Sequence, residues 1–371
     1  MTPAPATAAL IFVGFGIVVT GAYAWLIAAA KTSLSFGVLR GSLAASIDSH
    51  LQSLGFSPRL PLVRWTPRQP VPWGLIDLIG IVGLQLIAGA LLHEFRLIPD
   101  GKIENLTLPQ KQTLIAWNVG LSLLVSVVSV LLVMVRTWAT PRDLGWSWPD
   151  ISGDIRLGVI GFVMLAPPVY ALQGLLVNFW KESKHPIVEM FKDAPNARFF
   201  GVLFVSAAVV APLFEELMFR VLLQGFLEKV CSFSGPLHEL FLGTPTPRAH
   251  RPVNDQIDSL VSHLQPDTNP YASPQILDPS TEGLPAEHAD RQPELHGPAA
   301  WLPIAISSTI FALLHLSHGP DWIPLLPLAA GMGYLYQRTH RLLPSLIVHA
   351  LLNSLSMWGL WVAVKEGIAM K

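Results

Sequence analysis

The sequence predicts an all-α protein, a polytopic transmembrane helix bundle of about eight spans. Three observations carry this. Runs of about 18 or more mostly apolar residues recur along the chain, the length a helix needs to cross a bilayer. Hydrophobic residues make up 51% of the chain, with mean hydropathy +0.47. Charged residues make up only 13%, where a soluble domain carries about 25%.

The spans follow in order. The first apolar run covers 8–30. It resembles a signal peptide ending at Ala28-Ala29-Ala30, but no Lys or Arg precedes it and it exceeds the usual apolar region of such a leader, so an uncleaved span is expected. Residues 31–73 combine an amphipathic stretch, Phe36 to Leu54, with Pro58, Pro61, Pro67, Pro70 and Pro72. This reads as an interfacial helix and then an extended linker. Further spans are expected at 74–92, 113–135, 157–180 and 199–223. Residues 236–298 hold eleven prolines with many polar residues and no sustained apolar periodicity. They read as a solvent loop, largely disordered. The last three spans are expected at 299–317, 322–337 and 343–364, with Pro303, Pro324 and Pro327 interrupting the first two.

Charge sets further bounds. The net charge is −1 and there is no basic stripe, so no nucleic-acid partner is expected. The expected partners are the lipid bilayer and a membrane-associated protein or peptide. One cysteine, Cys231, rules out an intrachain disulfide. Basic residues in the first loop place it on the cytoplasmic side, whereas those in 181–198 favour the opposite arrangement. An integral membrane location follows, the plasma (inner) membrane if the source is prokaryotic.

The most informative segment is Phe214-Glu215-Glu216-Leu217-Met218-Phe219-Arg220, preceded by an uncharged run from Gly201 to Leu213. Three charges at a helix centre cost about 7–10 kcal/mol on an insertion scale. The large apolar residues around them return roughly 5 kcal/mol. The charges must therefore face a bundle interior or a wet cavity, where an ionisable residue is a functional-site hypothesis by default.

Two later clusters share a spacing of four: Phe311 with His315, and His349 with Asn353. Residues i and i+4 share a helix face. Glu216 and Arg220 pair along their own helix by the same rule, while Glu215 is rotated about 100° away and needs another partner. A carboxylate in a poorly solvated cavity can serve as a general base. A histidine can hold the water, and a second histidine with an asparagine amide can supply oxyanion donors. Glu, His, His and Asn are enough to hydrolyse an amide, with or without a metal. Plainer readings compete: a structural ion pair for Glu216–Arg220, a second structural carboxylate for Glu215, and interhelical hydrogen bonds for His315, His349 and Asn353. His238, His250, His263, His288 and His296 read as solvated.

Glu-Glu-x-x-x-Arg, Phe-x-x-x-His and His-x-x-x-Asn follow one another on successive spans, with Gly331-x-Gly333-x-Leu335-Tyr336-x-Arg338-Thr339 between the last two. This order resembles the CPBP intramembrane proteases, the family of CAAX prenyl endopeptidases and of bacterial proteins linked to bacteriocin processing and self-immunity. The matching stretch runs from about Phe199 to Val364. The resemblance implies an α-bundle with a membrane-embedded catalytic cavity, built by a core at 199–364 that follows N-terminal spans at 1–198. It implies that Glu215 activates water with His315, and that His349 and Asn353 stabilise the oxyanion. Glu216, Arg220 and Phe311 would support the site. No cofactor is favoured; zinc held by Glu215, His315 and His349 is the alternative. Val221 stands where many members have glycine, and the insert 236–298 is longer than expected. The rival function is a non-catalytic membrane immunity or scaffold protein that retains the fold. A transporter is disfavoured by the absence of matched halves.

Overall fold

A computed structural model describes residues 5–35, 49, 63, 65–95, 97, 105–146, 148, 151–176, 178–179, 186–193, 196–244 and 294–367. Most of the expected amphipathic stretch at 36–54, and the insert between 245 and 293, lie outside the described residues. Among the described residues the protein is helical and contains no strand.

Ten helices are described: α1 (Pro5–Ser35), α2 (Leu75–Glu94), α3 (Leu108–Thr137), α4 (Ile151–Leu176), α5 (Pro186–Asp193), α6 (Ala197–Ser232), α7 (Leu237–Leu242), α8 (Pro298–Leu313), α9 (Trp322–Thr339) and α10 (Leu342–Lys365). Six of them, α1 to α4, α6 and α10, are long and apolar enough to cross a membrane. The protein is thus a multi-pass membrane protein. The count of eight was approximate, because α8 has 16 residues and α9 has 18, with Pro303 and Pro327 inside them. Proline is tolerated in such helices because neighbouring elements satisfy the backbone groups it frees.

Aliphatic side chains such as Leu86, Leu132 and Val205 point outward, as lipid contact requires. Helix association in lipid depends on close packing and on small residues, since lipid tails are as apolar as leucine. α4 and α10 meet in this way. A Cβ on Gly158 would lie 2.6 Å from Ile347 Cβ, and one on Gly161 would lie 3.0 Å from Val348 Cγ2. Phe162, Ala166 and Val169 of α4 pack with Leu328 and Met332 of α9 and Val348 of α10. α1 joins through Gly21, which abuts Val163, and through Trp25 Nε1, which donates to the Met164 carbonyl at 2.8 Å. A second apolar cluster unites Phe191 of α5, Phe199 and Leu203 of α6, and Met357 and Leu360 of α10.

α6 is the central element, and it differs from the expected span 199–223. It continues to Ser232 as one apolar helix. Asn196 caps its start by accepting from the Phe199 N–H at 2.8 Å. Two stretches of α6, Ser206–Val210 and Leu217–Gln224, are π-helical. The first has a local cause. The Ala211 N–H donates five residues back to the Ser206 carbonyl. Pro212 follows and has no N–H to give the Ala207 carbonyl. No sequence period announces such a widened turn, although π-bulges favour functional sites.

Candidate active site

Three elements converge on the charged part of α6. α6 contributes Glu215, Glu216 and Arg220. The end of α8 contributes Phe311 and His315, and α10 contributes His349 and Asn353.

Glu216 and Arg220 are fully buried, and Glu216 Oε2 lies 3.2 Å from Arg220 Nε. The expected intrahelical pair therefore forms. The other carboxylate oxygen, Oε1, accepts from His349 Nδ1 at 3.0 Å. A carboxylate only accepts, so Nδ1 carries the proton. This bond sets the ring so that Nε2 faces Glu215 Oε2 at 3.6 Å. The partner that Glu215 needed is therefore His349. That separation is longer than a hydrogen bond, and contacts of this kind are commonly bridged by water. Glu215 is also the more accessible carboxylate, with a side chain 23% exposed against 0% for Glu216.

Phe311 forms the wall between the two histidines. Its ring lies 5.0 Å from the His315 ring and 5.9 Å from the His349 ring. Its face takes the Arg220 guanidinium at 5.5 Å, and Phe219 meets it edge-on at 5.2 Å. Such cation–π contact offsets part of the cost of a buried guanidinium, whose two terminal nitrogens lack a hydrogen-bond partner among the described residues.

His315 departs from the expectation in one respect. α8 stops at Leu313, and His315 sits in the turn beyond it. The ring is fixed by its Nδ1, which lies 2.9 Å from the Phe311 carbonyl. A carbonyl only accepts, so neutral His315 carries its lone pair on Nε2. The half-buried His315 lies within electrostatic reach of Glu215.

Asn353 lies one turn beyond His349. Its Nδ2 donates to the Ala207 carbonyl at 2.8 Å. This is the carbonyl orphaned by Pro212 within the first π-helical stretch, so the asparagine completes a backbone bond that proline cannot make. The second amide proton and Oδ1 are not used in that bond.

Sequence reasoning missed two features of this region. Ser345, buried one turn before His349, lies against the Glu216 carboxylate. Phe219 joins the aromatic wall, a role its apolar neighbours disguised. His238 and His296 are exposed as expected, while His250, His263 and His288 lie outside the described residues. Among the described residues, no three His, Cys, Asp or Glu side chains are gathered as a metal site would need.

Residues 285–355 match the family described as Rce1-like, type II CAAX prenyl endopeptidase. Over that segment the chain is similar to the CAAX prenyl endopeptidases. The match supports the resemblance to CPBP proteases read from the motifs. The CAAX-protease-like segment includes Phe311, His315, His349 and Asn353; Glu215, Glu216 and Arg220 precede it. No curated protein and no solved structure matches the chain.

Proposed function

We propose that this CAAX-protease-like protein is an intramembrane endopeptidase. It hydrolyses a peptide bond in a membrane-associated protein or peptide, using water activated by Glu215. One observation carries the reading: the accessible Glu215 carboxylate faces His349 Nε2 at 3.6 Å, on a ring held from behind by buried Glu216. A general base positioned by fixed neighbours and beside a proton carrier is what water activation requires.

In this mechanism Glu215 takes a proton from water as the oxygen attacks the scissile carbonyl. The tetrahedral oxyanion accepts from His349 when its Nε2 is protonated, and from the remaining amide proton of Asn353. His315 Nε2 shuttles a proton to the departing amine. Glu216, Arg220 and Phe311 hold this set in place. The route uses water and side chains alone. The 199–364 segment acts as the catalytic unit, with the earlier spans as its membrane frame.

The test uses the full chain in proteoliposomes with two quenched fluorescent probes, a farnesylated CAAX peptide and an unprenylated membrane-spanning peptide. Cleavage of one probe is expected. Glu215→Gln should lower turnover about 10²–10⁴-fold, the usual worth of a general base, while the probe still binds. Near-normal turnover by Glu215→Gln would refute the assignment. Absence of cleavage of either probe, with both still bound, would favour the non-catalytic scaffold.

A further inference from the structure

A second buried polar cluster lies on α6 beyond the site, centred on Gln224, which no sequence motif marked. Gln224 ends the π-helical stretch Leu217–Gln224 and is fully buried. Its Nε2 donates to Glu228 Oε1 at 3.0 Å and to the Gly333 carbonyl of α9 at 2.8 Å. Its Oε1 lies 3.4 Å from the Ser307 hydroxyl of α8. α9 comes this close because residue 333 is glycine: a Cβ there would sit 2.9 Å from Gln224 Oε1. Glu228 then accepts from Arg68 at 2.9 Å and lies 3.2 Å from His340 Nε2.

The spacing connects this cluster to the site. Gln224 is four residues after Arg220, and Ser307 is four before Phe311. Gln224–Ser307 and Arg220–Phe311 are thus successive rungs between α6 and α8. π-helical backbone is rare and used in short pieces, and such geometry persists only where surrounding contacts over-determine it. Gln224 supplies those contacts at the end of the stretch that carries Arg220.

We infer that Gln224 is a positioning residue: by tying α6 to α8 and α9 it sets where Arg220, Phe311 and the two histidine rings meet. This rests on the hydrolytic reading only for its effect on turnover; the geometric claim stands apart. The experiment is ¹⁵N-histidine NMR of the full chain in nanodiscs, combined with turnover of the quenched peptides. Gln224→Leu should shift the ring signals of His315 and His349 and lower kcat by about 10²-fold, the scale of a 1 Å misplacement, with KM unchanged. Ser129→Ala, which alters a buried hydroxyl on α3, should change neither. Should Gln224→Leu fail to fold, Gly333→Ala pushes a methyl against the same amide and should shift the same signals. Wild-type histidine signals in the folded variant would overturn the inference. Shifted signals in a protein that cuts neither peptide would support it while overturning the hydrolytic reading.

Discussion

Replacing Arg220 with methionine should cost about 3 kcal/mol of folding stability, the low end of the penalty for stranding a buried charge. The structure sets the scale. Glu216 and Arg220 are both fully buried, so solvent does not rescue the stranded carboxylate. The low end applies because Glu216 keeps its hydrogen bond from His349. At about 2 °C per kcal/mol for a chain beyond ~200 residues, the midpoint should fall by about 6 °C. The reverse change, Glu216→Gln alone, strands a guanidinium whose terminal nitrogens already lack hydrogen-bond partners among the described residues, and should cost at least as much. The double variant removes both charges and should recover most of the loss, because replacing a buried pair outright is often neutral. The single losses sum to about 6 kcal/mol, so the coupling energy should be about 4–5 kcal/mol, and turnover should be lost because His349 is no longer held by a carboxylate. Tryptophan fluorescence during heating reads the transition directly, since the chain has 12 Trp. Additive single-variant losses, or an Arg220→Met midpoint within 1 °C of wild type, would refute the reasoning. That second outcome with abolished hydrolysis would place Arg220 in the chemistry itself.

Three further outcomes are expected. Deleting residues 245–293 and joining the ends with a short flexible linker should leave the helical fold intact, because closure entropy grows slowly with loop length; Glu294 is kept because it pairs with Arg338. Lost helicity by circular dichroism would count against this. Gly158→Leu should reduce stability by several kcal/mol, since its side chain must enter the space of Ile347 Cβ at 2.6 Å and the Pro344 carbonyl at 3.0 Å; an unchanged midpoint would show that α4 and α10 can separate freely. Burial and the Arg68 guanidinium hold His340, between α9 and α10, below the ordinary histidine range, against the opposing pull of Glu228 and the Thr66 carbonyl. The unfolded chain then takes the proton first, so this stability is complete above about pH 6.5 and is lost as pH falls through the folded value. Midpoints measured across that range should drop less for His340→Gln than for wild type, and equal drops would exclude the histidine as their source.

The sequence by itself determined the membrane character and marked the candidate site residues. Long apolar runs have one cheap solution in a bilayer, and a charge within such a run must turn inward, so Glu215, Glu216 and Arg220 declared themselves by cost alone. The i, i+4 rule gave the Glu216–Arg220 pair, because both partners lie on one helix and their distance is local geometry. The tertiary structure decided what helix periodicity does not encode. It chose His349 as the partner of both carboxylates, ended α8 before His315 and gave the Asn353 amide to the Ala207 carbonyl. The extension of α6 to Ser232 and its two π-helical stretches were equally hidden. Pro212 was visible, but whether a proline kinks, breaks or widens a helix depends on which neighbour satisfies the freed carbonyl. Gln224 was silent for the same reason: an amide in an apolar run has no fixed meaning until another helix brings an acceptor to it, here the Gly333 carbonyl at 2.8 Å.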